Sequence, residues 1–238
     1  MAGEPLVVEN VEALRAAPEE YRIACEKIVI SHAINELYGV KVYDEPSIAL
    51  APSVYAKWLT LRVVMEEYGH HVRFFELGQQ MGIEERRMTV GVTEKAPLSI
   101  FGYPMKTWVE FVAIKLLGDM AEILQVEDLI QSTCHPIRRL ARMTLPEEKF
   151  HAQFGVDFGK ELCQSPEGRS ELQTAIDGIF PLMPAFFGRS GSRNNEIYRK
   201  WGLKLRTNEQ MRADYIERAR RTVESLGLGL PELATADM

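Results

Sequence analysis

The sequence predicts an all-α protein: a four-helix bundle with a long crossover between its two helix pairs and additional helices at the C-terminal end. Apolar residues recur at three- and four-residue steps through most of the chain, which is the helical period. Strand signals are scarce, and prolines and glycines separate the helical segments. At 238 residues, 46% of them hydrophobic, the chain can bury a sizeable core. We expect one domain over 1–238, with the core bundle at about 18–164 and a C-terminal helical extension at about 165–231.

The first helix pair is predicted at about 18–42 and 52–81. Ile and Leu recur at helical steps through the first of these segments. Pro52 suits the first turn of the second helix, where the missing N–H of proline has no partner to lose. Gly82 follows the last turn, a position at which glycine commonly ends a helix. The intervening segment 44–51 contains a proline and is predicted to be a connection.

The second helix pair is predicted at about 107–132 and 136–164. A crossover at 83–105, with a short helix near 83–90, joins it to the first pair, as a bundle with a long central connection requires. Pro146 lies inside the fourth helix. Because proline removes a backbone donor and clashes with the preceding turn, we expect this helix to bend or restart there.

The C-terminal third is predicted to be less regular. A helix is expected at 165–180, with Ser165 as its cap, and a final amphipathic helix at 208–226. Between them, an apolar run at 181–187 is followed by a polar Gly/Ser loop at 188–195.

Composition and charge exclude several classes of protein. The formal net charge of −6 argues against general binding of nucleic acid. No apolar stretch reaches the length of a membrane span, and the first residues lack the basic region of a signal peptide. Cys25, Cys134 and Cys163 are scattered and form no Cys-x-x-Cys pair. Together these features predict a cytoplasmic protein with reduced thiols.

A repeated order of carboxylates and histidines predicts a metal site. Residues three apart share a helix face, so each of two Glu-x-x-His motifs can offer a carboxylate and an imidazole to one ion. A single carboxylate precedes each motif, by 31 residues in one case and 29 in the other. Two such motifs and two further carboxylates form the di-iron site of ferritin-like bundles. The six candidate ligands, which are also the candidate catalytic residues, are Glu36, Glu67, His70, Asp119, Glu148 and His151.

Symmetry suggests how these ligands divide between two irons. Glu36 and His70 would hold one ion, Asp119 and His151 the other, and the two motif glutamates would bridge them. Hard carboxylate oxygens suit oxidised iron, imidazoles help to hold the ferrous state, and open positions remain for dioxygen.

Several neighbouring residues remain alternatives. Glu122 lies three residues after Asp119 on the same face and can replace it as ligand, or support a ligand histidine. Glu66 and His71 are rivals of Glu67 and His70, although only the latter pair repeats the three-residue spacing of the fourth helix. The remaining histidines, His32 and His135, are expected to be ordinary core or surface residues.

Longer stretches of the chain, over residues 21 to 231, resemble one family, the catalytic A-type subunits of multicomponent phenylacetyl-coenzyme A epoxidases. The resemblance implies a ferritin-like di-iron monooxygenase that acts on an aromatic acyl-coenzyme A and uses dioxygen. It also implies a separate NAD(P)H-dependent reductase and a similar but non-catalytic ferritin-like partner subunit. By this alignment Asp119 is the ligand of the third helix. The matching stretches are His32-Ala33-Ile34-Asn35-Glu36, Glu67-Tyr68-Gly69-His70, Ile100-Phe101-Gly102-Tyr103-Pro104, Gly118-Asp119-Met120-Ala121, Glu147-Glu148-Lys149-Phe150-His151 and Arg206-Thr207-Asn208-Glu209-Gln210-Met211-Arg212.

The expected function is therefore epoxidation of an aromatic acyl-coenzyme A within a hetero- or homo-oligomer, with a ferritin-like ferroxidase or peroxide reductase as the alternative. Lys95, Phe101 and Tyr103 of the crossover are the candidate substrate-binding residues, with plugging of the bundle end as the alternative role of the two aromatic rings. The segment 189–206 carries six basic residues in an acidic protein. Such a segment is typical of a solvated face or a subunit contact, and binding of the coenzyme A phosphates is the alternative.

Overall fold

The prediction of an all-α bundle is confirmed by the computed structural model, which describes residues 6–90 and 98–233. Within these residues the only β pairing is an isolated bridge between Val8 and Cys134. The helices are α1 (Val11–Ala16), α2 (Glu19–Gly39), α3 (Glu45–Leu50), α4 (Val54–Met81), α5 (Trp108–Leu129), α6 (His135–Leu162), α7 (Pro166–Ile179), α8 (Arg193–Lys200) and α9 (Asn208–Ser225).

Four long helices form the bundle as two pairs. Helix α2 packs most extensively against α4, and α5 against α6. The C-terminal helices α7 and α9 cover the outer side of α5. Helix α5 is therefore buried almost all round, which explains why most of its residues are apolar.

Local signals in the sequence set the helix ends. The Ser53 hydroxyl accepts a hydrogen bond from the Ala56 N–H and begins α4, which ends at Gly82 with a φ of +85°. At the start of α5, Thr107 and Glu110 form a reciprocal capping box. The predicted boundaries of these helices are therefore correct to within a few residues.

The first connection differs from the prediction. Segment 44–51 is not a loop, because α2 continues through a π-helical turn at Val40–Asp44 directly into α3. Pro46 does not break the chain: it lies in the first turn of α3, directly after the π-helical turn, and its fixed φ is compatible with a helix. The π-helical turn matters for the site, because it brings the Asp44 carboxylate inside the bundle.

Helix α6 runs through Pro146 without restarting, so of the two predicted outcomes only a bend remains. Two further predictions need correction. The crossover has a short 3-10 turn at Glu85–Arg87 instead of a helix over 83–90, and a second such turn at Ser99–Gly102. Helix α8 begins inside the predicted Gly/Ser loop.

Helices α5 and α6 approach each other closely at Gly155, one turn after His151. A Cβ added there would lie 2.4 Å from the Leu116 backbone nitrogen and 2.7 Å from its Cα. Backbone atoms cannot move aside as side chains do, so Gly155→Ala must push α5 away from α6. We expect it to lower the free energy of unfolding by about 1–3 kcal/mol.

Gly118→Ala provides the matched control for this substitution. A Cβ there would meet only Ile114 Cγ2, at 3.9 Å, so helix propensity should raise the free energy of unfolding by up to about 1 kcal/mol. Urea unfolding of both variants measures the difference. Equal stabilities would show that the close approach at Gly155 relaxes at no cost.

Candidate metal centre

The six predicted ligands come together, buried, between the four long helices. Their side-chain oxygens and nitrogens form two groups, within each of which the donor atoms lie no more than 4.8 Å apart. Glu67 belongs to both groups, whereas Glu148, the other glutamate predicted to bridge, belongs only to the first. The first group is Glu36, Glu67, His70 and Glu148, and the second is Glu67, Asp119 and His151.

Both histidines are oriented by a carboxylate from the opposite helix. The Nε2–H of His70 on α4 donates to Glu147 on α6, and the Nε2–H of His151 on α6 donates to Glu66 on α4, each at 2.9 Å. The Nδ1 atoms therefore point the other way, towards the carboxylate cluster. This outer carboxylate is the usual support of a metal-binding histidine, because it fixes the ring and raises the basicity of the free nitrogen.

An arginine holds each of these outer carboxylates in turn. Arg73 donates to Glu147 at 2.6 Å, and Arg62 donates to Glu66 at 2.9 Å. Although burial opposes ionisation, the hydrogen bonds from His70 and Arg73 lower the pKa of Glu147 to about 2. The hydrogen bonds from His151 and Arg62 likewise lower the pKa of Glu66. Both outer carboxylates thus stay charged and keep accepting the histidine N–H.

Asp119 and Glu122, the two candidate ligands on α5, have different neighbours. Asp119 joins Glu67 and His151, whereas Glu122 lies one turn away, 3.2 Å from His32 Nδ1. His32 in turn lies 3.9 Å from Glu36. Glu122 forms a third group of donor atoms with His32 and Glu36, so Asp119 and Glu122 take part in different groups and Asp119 is the one beside His151.

A buried lysine lies among the carboxylates. Lys115 on α5 is 2% exposed, and its Nζ lies 2.7 Å from Glu67, 3.0 Å from Asp119 and 3.2 Å from Asp44. Burial opposes its charge, but the surrounding anions hold the pKa of Lys115 well above its usual value. Lys115 is one helical turn before Asp119, so it contacts one oxygen of that carboxylate and leaves the other free.

The donor set fits a pair of metal ions. Burial, with Glu67 as a further cause, raises the pKa of Glu148 to about 7, and burial raises the pKa of Asp119 well above its usual value. Both shifts favour the neutral carboxyl, so burial opposes ionisation of these two groups unless a cation lies beside them. Buried polar atoms without a hydrogen-bond partner are costly, and bound cations would satisfy those of this cluster. Those atoms include His70 Nδ1, His151 Nδ1, Asp119 Oδ2 and Glu148 Oε1.

A cavity opens beside the cluster, with about 600 Å³ of space including the solvent at its mouth. Its wall is largely apolar away from the carboxylates, with Ile100, Phe101, Ile114, Met183 and Phe186 among its lining residues. The cavity is therefore able to hold an apolar group against the predicted ligands.

The predicted substrate residues have different positions. Phe101 lines the cavity. Tyr103 does not line it, because its hydroxyl donates to Glu110 at 3.0 Å and its ring lies beside Gly178. Lys95 lies outside the described residues.

Sequence reasoning missed several groups at the site. Lys115, Asp44 and His32 were not assigned to it, and Glu147 was not considered. The sequence did contain a signal for Glu66 and Glu147. Each motif reads Glu-Glu-x-x-His, with Glu66 before Glu67 and Glu147 before Glu148. The first glutamate of each pair orients the histidine of the other motif.

Helices in the described part of the chain are all too short or too polar to span a membrane.

Two comparisons with known proteins bear on the family of the chain. The A-type subunit of the 1,2-phenylacetyl-CoA epoxidase of Escherichia coli strain K12 is 27% identical over 222 residues, which cover 90% of this chain and 71% of that protein. A sequence profile of phenylacetic acid catabolic proteins matches residues 6–237. Because this match spans nearly the whole chain, the protein belongs to the phenylacetic acid catabolic protein family.

Proposed function

We propose that this chain is the catalytic di-iron subunit of a multicomponent monooxygenase that epoxidises the ring of phenylacetyl-CoA or a similar aromatic acyl-CoA. The observation that carries the proposal is the buried donor set beside an apolar cavity, in a member of the phenylacetic acid catabolic protein family. The similar Escherichia coli protein is a subunit of a phenylacetyl-CoA epoxidase. This relative favours an oxygenase over a ferroxidase or peroxide reductase.

The proposed ligands are Glu36, Glu67, His70, Asp119, Glu148 and His151. Two irons held by them would activate dioxygen, so that one oxygen atom enters the aromatic ring and the other is reduced to water. Imidazole nitrogens and carboxylate oxygens suit iron in both of its common oxidation states. The chain itself directs the Nδ1 atoms of His70 and His151 at Glu148 and Glu67, at 3.0 and 3.2 Å, and supplies Lys115 as a positive charge beside Glu67.

The aromatic end of the substrate would occupy the cavity. Phe101 and Phe186 offer apolar surface on its wall, and Gly118 leaves room beside Asp119. The coenzyme A end would remain outside, where its phosphates need cations. Two cations of the basic segment 189–206 are already paired, Lys200 with Glu20 and Arg206 with Asp128, which argues against this segment as the phosphate site.

A non-catalytic ferritin-like subunit would complete the complex, and an NAD(P)H-dependent reductase would deliver the electrons. The name of the Escherichia coli relative, a subunit of the epoxidase, supports an assembly of several chains.

Thioester binding provides the experimental test. Calorimetry should detect binding of phenylacetyl-CoA to the iron-loaded chain, and free phenylacetate should bind roughly tenfold or more weakly because it lacks the coenzyme A contacts. Oxygenation itself should require both the reductase and the partner subunit.

A variant that fills the cavity makes this test specific. Gly118→Phe adds a ring where the backbone leaves open space, so it should weaken the binding of phenylacetyl-CoA and leave the binding of coenzyme A unchanged. Gly118→Ala, the matched control, should bind both as the wild type does. The proposal fails if the thioester binds neither the chain alone nor the chain with its partner.

A further inference from the structure

His32 and Glu122 lie beside the proposed iron ligands but belong to neither of the two ligand groups. Together with Glu36 they form the third group, in which one donor atom of each residue lies within 4.8 Å of the other two. The three side chains come from α2 and α5 and are 7% to 15% exposed. One imidazole and two carboxylates are ligands that divalent iron, cobalt and zinc accept.

The spacing of the donor atoms in the third group fits a single ion. Two atoms bound to the same ion at about 2.1 Å lie roughly 3.0–3.4 Å apart. The Nδ1 atom of His32 lies 3.2 Å from Glu122 Oε1 and 3.9 Å from Glu36 Oε1, so a small movement of Glu36 would complete the set. Three protein ligands leave coordination positions for water, as in metal sites that bind and release other ligands.

Two further observations argue against an ordinary ion pair between His32 and Glu122. The Oε1 atom of Glu122 is buried and has no hydrogen-bond partner, so its 3.2 Å contact with His32 lacks hydrogen-bond geometry. The ring of His32 stacks on Phe74, with centroids 4.7 Å apart and planes inclined by 14°, which fixes the direction of Nδ1. The two atoms therefore approach each other as two ligands of one cation do.

Glu36 connects the third group with the first. Its Oε1 atom lies 3.9 Å from His32 Nδ1, and its Oε2 atom lies 3.7 Å from His70 Nδ1, so each oxygen faces a different group. Glu36 and Glu122 also line the cavity that opens to solvent. The Glu122 side chain, at 15%, is more exposed than any of the six proposed ligands. An ion that enters through the cavity is therefore expected to meet Glu122 before it reaches His70.

We infer that His32, Glu36 and Glu122 form a third divalent-cation site, at which iron binds on its way from the cavity to the proposed iron pair. The inference rests on the proposed function for the destination of the ion, whereas the third site has two ligands of its own, His32 and Glu122. Glu36 passes the ion from its Oε1 to its Oε2. The third ion binds more weakly than the pair, because it shares Glu36 with the first group.

The number of Co²⁺ ions bound per chain tests the third site. Equilibrium dialysis of the metal-free chain against rising Co²⁺ should show two ions that bind tightly and a third that binds more weakly. Glu122→Gln keeps the size of the side chain and removes its charge. It should raise the dissociation constant of the third ion by on the order of 100-fold and leave two ions bound. Glu127→Gln, the same change at a carboxylate of α5 that pairs with Arg218, should still bind three.

The rate of loading tests the route. At a Co²⁺ concentration that fills only the pair, the visible absorption of the bound ions should rise about tenfold more slowly in Glu122→Gln, because an anionic cleft concentrates cations. The final absorption should equal that of the wild type. Glu122→Asp keeps the charge and should recover part of the rate and of the third ion. Circular dichroism should be the same in every variant, which separates a lost site from a lost fold.

The ion count also separates this inference from the proposed function. Two ions in the wild type would leave the pair in place and overturn the third site, whereas fewer than two would contradict both. Three ions in the wild type and in Glu122→Gln alike would assign the third ion to other residues and overturn the inference. Equal loading rates of the wild type and Glu122→Gln would overturn the route through Glu122.

Discussion

Replacing His70 or His151 with Ala is expected to remove most of the bound iron. Each ring offers a buried Nδ1 without a hydrogen-bond partner, held in place by a carboxylate on the opposite helix. Loss of such an outer carboxylate commonly weakens metal affinity by about 10–100-fold, so loss of the ligand itself should cost at least as much. Iron content after anaerobic loading and desalting measures the effect. His135→Ala is the control, because that ring contacts Glu9 far from the cluster.

The same measurement separates the two carboxylates of α5. Asp119→Ala should abolish assembly of the iron pair, because Asp119 lies with Glu67 and His151. Glu122→Ala should only weaken it, through the loss of the contact with His32. The opposite result would mean that Glu122 is the ligand and that Asp119 serves mainly to neutralise Lys115.

The second large effect concerns Lys115. In iron-free protein, Lys115→Met should lower the free energy of unfolding by about 3–5 kcal/mol, because it leaves buried carboxylates without their cation. Methionine keeps much of the side-chain volume, so the loss reports charge and not a cavity. Urea unfolding in the presence of a chelator measures the change.

A double variant identifies the cause of that loss. Asp44→Leu removes the one carboxylate of the three around Lys115 that is not a proposed ligand, so adding it to Lys115→Met should recover part of the stability. If the double variant is as unstable as the sum of the two single variants, the carboxylate of Asp44 is not paired with Lys115 in solution.

Much of the fold followed from local signals. The cap Ser165 and the terminating Gly82 act within a few residues of their position, so the sequence showed them directly. Pro52 was wrongly placed in the first turn of α4, because Ser53 caps that helix and Pro52 lies before it. Helix α8 was missed because it is short and polar and follows a glycine-rich segment. The segment at Glu45–Leu50 was missed because a proline in the first turn of a helix has the same appearance as a proline in a loop.

The ligands were predictable for a similar reason, since the repeated spacing lies along each helix. The contacts around them were not, because they join residues far apart in sequence. Asp44 and Lys115 are 71 residues apart, and their pairing depends on the π-helical turn that no spacing rule indicated. One signal for Lys115 was present in the sequence: it is the charged residue of the otherwise apolar stretch 111–118, four residues before Asp119.

The crossed hydrogen bonds between the two motifs have a consequence for how the ions bind. His70 is aligned by Glu147, the residue before a ligand of the other motif, and His151 is aligned by Glu66 in the same reciprocal way. An ion that orders the imidazole of His70 also orders Glu147, and with it the turn of α6 that carries Glu148 and His151. The entropy cost of ordering that turn is then paid by the first ion and not again by the second. Uptake of the two ions should therefore be positively cooperative, and by linkage each ion should raise the affinity for the other by the same factor.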